Sequence, residues 1–156
     1  MGITIRPVAA DDLPQLLALC RDHAAYERLN WRDEGQAAWL AQALFDTPPR
    51  LFAWVLADDT GTLHGYMSAT LDFSTWQAAP FVYMDCLYLA EAQRGQGWGR
   101  RLMRQLQQFA HQQGCTQIQW QTPPDNQGGI AFYQRIGAQA LPKQRYTLTQ
   151  GEGSWA

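Results

Sequence analysis

The sequence predicts an α/β (α+β) fold: one domain with a mixed, mostly antiparallel central sheet flanked by helices. Three observations carry that prediction. Three consecutive β-prone runs, 51–57, 63–73 and 81–89, are separated only by short turns, the pattern of an antiparallel meander. Beyond residue 99 the apolar period changes from that of a strand to that of a helix, and strand and helix then alternate. A length of 156 residues, 46% of them apolar, suffices for one sizeable core and is too short for two.

Each element has its own signal. Ile3 to Arg6 is a short β-prone segment ending at Pro7, and Asp11 or Asp12 offers an N-cap for a helix carrying Leu13, Leu16, Leu17, Leu19 and Cys20. Trp39, Leu40, Ala43 and Leu44 have helical spacing, and Pro48 and Pro49 end that second helix before the strand Leu51 to Ala57. Asp58, Asp59 and Gly61 make a hairpin turn, and Ser74 to Pro80 makes the next one between the runs 63–73 and 81–89. Arg100 to Gln113 places Leu102, Met103, Leu106, Phe109 and Ala110 on one face, with Gly114 as the stop. Thr116 to Gln121 reads as a strand, Gln127 to Arg135 as a short helix closed by Gly137, and Tyr146 to Thr149 as a last β segment. We therefore expect a single domain over 1–150, with 151–156 as a frayed tail.

Composition narrows the function classes. A net charge of -2 and a pI of about 5.8 give no general electrostatic reason to bind nucleic acid or an anionic membrane surface. No apolar run approaches the roughly 20 residues of a membrane span, and the N-terminus lacks the pattern of a signal peptide, so a cytoplasmic location is expected. Cys20, Cys86 and Cys115 are odd in number and lack a C-x-x-C pair, while His23, His64 and His111 are scattered. Neither a disulfide framework nor a metal site is expected from such spacing.

Arg94-Gly95-Gln96-Gly97-Trp98-Gly99 follows a near-continuous apolar strand and precedes a helix. That order aims free backbone N–H groups and the positive helix end at an anion, and the glycines let the ligand approach without a Cβ in the way. Arg94, Arg100, Arg101 and Arg104 bring four of the 12 basic residues into eleven positions of an otherwise acidic chain, as a phosphate-rich ligand would require. The Walker and dinucleotide glycine patterns do not fit; a flexible turn with solvated arginines is the plainer alternative.

The same six residues match the Q/R-x-x-G-x-G/A pattern of the GNAT superfamily of N-acetyltransferases. Asn126 and the run Ile130 to Ala138, which contains Phe132-Tyr133 and Gly137, resemble that superfamily's closing motif. Ile5-Arg6-Pro7 followed by Asp11 resembles its start, so the likeness spans nearly the whole chain. It implies the GNAT fold, acetyl-CoA as cosubstrate held by Leu87, Tyr88, Leu89, the 94–100 turn, Asn126 and Tyr133, and Tyr133 as the acid that meets the leaving sulfur.

A narrower likeness is to the diamine (spermidine/spermine) N-acetyltransferases. It rests on His23 to Arg28, on Phe73 to Trp76 and on Tyr83-Met84-Asp85-Cys86-Leu87. It implies that Tyr26, Glu27 and Asp85 contact a small-molecule amine and that the protein is a homodimer; Trp31 and Trp76 lie in segments that could flank the acceptor cleft and hold an ammonium by cation-π contact. Asp85 and Asn30 depart from that subfamily's Glu and acidic residue.

The chemistry is demanding in one respect. A primary alkylamine, with a pKa of about 10.4, arrives protonated and must lose a proton before attacking a thioester. Asp85 is the only carboxylate in its apolar strand, and partial burial would raise its strength as a base; Glu27 could share that role. Strand alternation sends Cys86 to the face opposite Asp85. Acetylation of a protein N-terminus or lysine, or a non-catalytic acetyl-CoA-binding module, are the alternatives.

Overall fold

A computed structural model describes residues 2–155. Alternating apolar residues assemble Ile3–Pro7 (β1), Phe52–Asp58 (β2), Leu63–Ser74 (β3), Ala79–Leu89 (β4) and Ile118–Trp120 (β5) into one sheet whose spatial order follows the chain. The first three pairings are antiparallel and β4–β5 is parallel. Helices Leu13–Tyr26 (α1), Gln36–Phe45 (α2), Trp98–Gln112 (α3) and Gln127–Arg135 (α4) flank it. This is the mixed, mostly antiparallel sheet read from the sequence. Among the described residues no helix is long and apolar enough to cross a membrane.

The strand period divides the core into two layers. Ala53, Val55, Ala57 and Tyr66 face α1 and α2, where Leu16, Leu19 and Leu44 cover them. Trp54, Met67, Ala69, Val82 and Met84 face α3 and meet Leu102, Met103, Leu106 and Phe109. Leu102 and Leu106 are fully buried, and each such leucine stabilises the fold by about 1.5–3 kcal/mol. With α1 ending on one layer and α4 packed on the other, side chains from both can converge only at the open end of the sheet.

That opening is made by β4. Ser68 pairs with Cys86 and Ala69 with Met84, so Asp85 is an extra residue bulged out of the β3–β4 ladder. The bulge reverses the strand's parity: Val82 and Met84 face α3 before it, while Leu87 and Leu89 do so after it. Pairing with β5 covers only Val82 to Met84, so Asp85 to Leu89 have no neighbour on that side. The sheet splays there.

Four local expectations change. Asp12 makes no side-chain cap for α1; after a 3-10 turn at Ala10–Asp12 its carboxylate accepts from both Arg6 guanidinium nitrogens, at 2.7 and 3.0 Å, and from the Ala9 N–H at 2.7 Å. The Arg6 hydrogen bonds hold that carboxyl below its ordinary range. Helix α3 begins at Trp98 rather than Arg100, because Gly97 adopts a left-handed φ of 88° as its N-cap. Strand β5 is shorter than 116–121. No strand forms at 146–149; Tyr146 and Leu148 are exposed, and among the described residues the segment pairs with no strand, the open edge of β5 included. The tail is likewise irregular to residue 155, and Ala156 lies outside the described residues.

Candidate active site

The turn after β4 is built from backbone. Gly95 and Gly97 both take left-handed φ, 75° and 88°, with open space where a Cβ would stand. Among the described residues, the N–H groups of Gly95 to Arg100 donate to no group of the chain; the first bond of α3 runs from the Arg101 N–H to the Gly97 carbonyl at 3.2 Å. Six consecutive free donors at the positive end of a 15-residue helix make a setting that favours an anion. Gly99 serves another need, since a Cβ there would lie 3.1 Å from the Phe132 ring, so this glycine lets α4 pack closely on α3. Arg100 is exposed at the same helix start; the Arg101 guanidinium lies 4.2 Å from the Trp98 ring centre.

Arg94 points elsewhere. Its Nε donates to the Leu89 carbonyl at 3.0 Å, and its guanidinium covers Tyr26 at 4.7 Å and Tyr88 at 5.5 Å from the ring centres. It thus walls the splayed strand end and joins the turn to the C-terminal end of α1. Gln96 folds back to the Ala92 carbonyl at 2.8 Å.

At the end of α1 the structure brings together residues from four elements. Tyr26 donates to Asn126 Oδ1 at 3.3 Å. Asn126 also caps α4 by accepting from the Gly129 N–H at 3.2 Å and donates to Thr122 at 2.9 Å. A Cβ at Gly129 would collide with the Asn126 side chain, so this glycine is what lets the cap form. Glu27 pairs with His23 Nε2 at 2.6 Å, and His23 Nδ1 meets the Tyr66 hydroxyl at 2.7 Å. The His23 ring also stacks on Tyr88, with centres 5.1 Å apart.

Tyr133 closes the cleft from α4, packed on Trp120 and Phe132. Burial first, and then the nearby Glu27 and Tyr26, push its phenol up to about 12. A phenol that reluctant to ionise stays a hydrogen-bond donor throughout the neutral range. Against a thiolate near 8.5, giving up its proton outright is uphill by several kcal/mol.

Asp85 is exposed rather than partly buried, because the bulge turns it outward. The bulge also overturns the expected placement of Cys86. Its Sγ lies 3.7 Å from Asp85 Oδ2, on the α1 side with Tyr88, since the extra residue cancels the alternation between them. Burial, then Asp85, pushes the Cys86 thiol up to about 12, so it is a poor nucleophile. Trp76 stands 98% exposed at the β3–β4 turn, with Phe73 also exposed beside it, and neither joins the cleft. Sequence reasoning missed His23 and Tyr66. The four-residue spacing of His23 and Glu27 on one helix was the available signal for the first; Tyr66 had none.

The Acetyltransferase (GNAT) family matches residues 16–138. A thialysine N-epsilon-acetyltransferase of Bos taurus is 27% identical over 158 residues, covering 97% of this chain and 88% of that protein. An L-methionine sulfoximine/L-methionine sulfone acetyltransferase of Pseudomonas aeruginosa is 27% identical over 157 residues, covering 99% and 90%. An aminoglycoside acetyltransferase from an uncultured soil metagenomic sample, crystallised with trehalose, superposes with a TM-score of 0.77 at 19% identity, covering 94% of this chain and 97% of that one. The free-donor turn, the splayed β4 and the capped α4 thus belong to a chain of the GNAT acetyltransferase family, whose members transfer an acetyl group from acetyl-CoA to an amine.

Proposed function

We propose that the acceptor is a primary amine on a lysine-like chain, drawn in by Glu27. The observation that carries this reading is the position of that carboxylate: 25% exposed, fixed by His23, and close enough to Tyr133 to raise its phenol. A partly screened acid among Tyr26, Tyr88 and Tyr133 suits a single cation on an apolar stem, which the ring faces can hold as well. The relatives named for thialysine, a lysine analogue, support it, and a diamine acceptor has less support.

Acetyl-CoA supplies the activated acetyl group. The residues present fit it: the free N–H groups of 95–100 would hold its pyrophosphate, and the unpaired edge at Leu87, Tyr88 and Leu89 would take the extended arm. Glu27, aided by Asp85, lowers the cost of delivering an uncharged amine by accepting its proton directly or through water. Tyr133 donates a hydrogen bond to the sulfur as charge develops there, a group aimed at the transition state more than the ground state.

A second reading, acetylation of a lysine side chain or N-terminus in a protein, is supported by the exposed Phe73 and Trp76 beside Leu71 on the β3–β4 hairpin, an apolar surface a polypeptide could lie against. We further propose a single catalytic domain over 1–150 and a homodimer. The dimer is supported by the exposed Leu141, Tyr146 and Leu148 on an unpaired arm and by the free edge of the short β5.

Release of free thiol from acetyl-CoA, followed against lysine, thialysine, diamines and lysine- or alanine-terminated peptides, tests the reading. Turnover of lysine-type amines above diamines is expected. Turnover of peptides alone would replace this reading with the second; preference for diamines would overturn both.

A further inference from the structure

We propose that His23, held by the Tyr66 hydroxyl, is a positioning residue of the transfer reaction that fixes the Glu27 carboxylate in the direction from which it receives the acceptor amine. This rests on reading Glu27 as the acceptor's carboxylate.

The hydrogen-bond directions are determined by elementary bookkeeping of protons. An ionised carboxylate can only accept, so the 2.6 Å contact requires the proton on His23 Nε2. Neutral imidazole then has a bare Nδ1, which must accept from Tyr66 at 2.7 Å. Tyr66 can be that donor at any ordinary pH. It is 3% exposed, and burial, then Cys86 and Cys20, holds its phenol far above the usual value. The chain therefore runs Tyr66 O–H to His23, and His23 N–H to Glu27, with a single tautomer.

The anchoring is unusually complete for a carboxylate at a helix end. Tyr66 lies in the middle of the sheet, paired to β2 through Val55 and to β4 through Tyr88, so its hydroxyl is a fixed point. The His23 ring is sandwiched by contacts, stacked on Tyr88 and edge-on to Tyr66. With side-chain exposure of 14% for His23 and 25% for Glu27, the relay runs from the buried Tyr66 to a more open carboxylate at the cleft. Orienting the base of a reaction through a third group in this way costs the protein little reorganisation at the moment of reaction.

Around His23 stand Glu27 on α1, Tyr66 on β3, and Asp85 and Tyr88 on β4; Cys20 and Cys86 lie against Tyr66, and the Arg94 guanidinium covers Tyr88. Burial outweighs Glu27 and Asp85 and holds His23 below the ordinary histidine value of 6.5. The imidazole is thus neutral at pH 7 and the single tautomer is the working form. Protonation at lower pH makes His23 a cation that competes with the acceptor's ammonium for Glu27, so acceptor binding weakens in acid.

Imidazole 15N NMR of the intact protein, with steady-state kinetics of His23→Leu, His23→Gln and Tyr66→Phe, tests this. The spectrum is expected to show the proton on Nε2 and Nδ1 bare, with the tautomers mixing in Tyr66→Phe. In His23→Leu the acceptor's kcat/KM is expected to fall about tenfold or more, with the KM for acetyl-CoA unmoved and the acid limb of the acceptor profile displaced, because only the carboxylates then titrate there. His23→Gln, which can still donate to Glu27, is expected to recover much of the loss. A proton on Nδ1 would overturn the proposal, as would wild-type acceptor kinetics across pH in a folded His23→Leu. If the wild-type protein turns over no lysine-type amine, the acceptor reading fails separately, while the tautomer still decides whether His23 anchors Glu27.

Discussion

At residues 95–100 the groups proposed to face a ligand are main-chain N–H donors on consecutive residues, whereas at the end of α1 they are side chains from α1, β3, β4 and α4 that meet only in the folded protein. The first region needs only a backbone path, which two left-handed glycines provide. The second needs each side chain to be held by another: Glu27 by His23, His23 by Tyr66, Tyr26 by Asn126. A backbone site is robust to most side-chain changes and fragile at its glycines. A side-chain site is fragile everywhere, and that is where specificity can evolve by single substitutions.

The largest expected break is in the side-chain region. Tyr133→Phe removes the donor proposed to meet the sulfur while leaving the ring packed on Trp120, so kcat is expected to fall about 100-fold with the KM for acetyl-CoA nearly unchanged. A raised KM for acetyl-CoA with kcat unchanged would assign Tyr133 to binding instead. Because its phenol stays protonated up to about 12, the wild-type rate should show no alkaline limb from Tyr133 in the neutral range, and a limb lost in Tyr133→Phe would contradict that.

Next comes the backbone region. Gly97→Ala forces a Cβ into a φ of 88°, which costs about 1–2 kcal/mol in the bound geometry, and the KM for acetyl-CoA is expected to rise about tenfold. Gly99→Ala sharpens the contrast: its Cβ meets the Phe132 ring, so a loss of thermal stability is expected in place of a loss of affinity.

The two regions also differ in how legible they were. The turn could be read from Arg94 to Gly99 because consecutive residues build it, and the glycine spacing reports the backbone directly. The core followed from period alone, as Leu102, Leu106 and Phe109 show. The bulge at Asp85 could not be read that way: one extra residue changes no composition and leaves no period, yet it turned Asp85 outward and Cys86 to its own side. Tyr66 looked like any aromatic of a strand, and its hydroxyl acquires meaning only when α1 lays His23 over it. Tyr146 to Thr149 has strand composition but pairs with no strand among the described residues, which composition cannot reveal.

The division of labour between the regions is tested most directly by Glu27→Gln, which keeps the side chain's size and removes its charge. Steady-state kinetics with a lysine-type amine should show kcat/KM for the amine lowered at least tenfold and the KM for acetyl-CoA unchanged. An unchanged acceptor constant, or a rise in the KM for acetyl-CoA instead, would contradict the account.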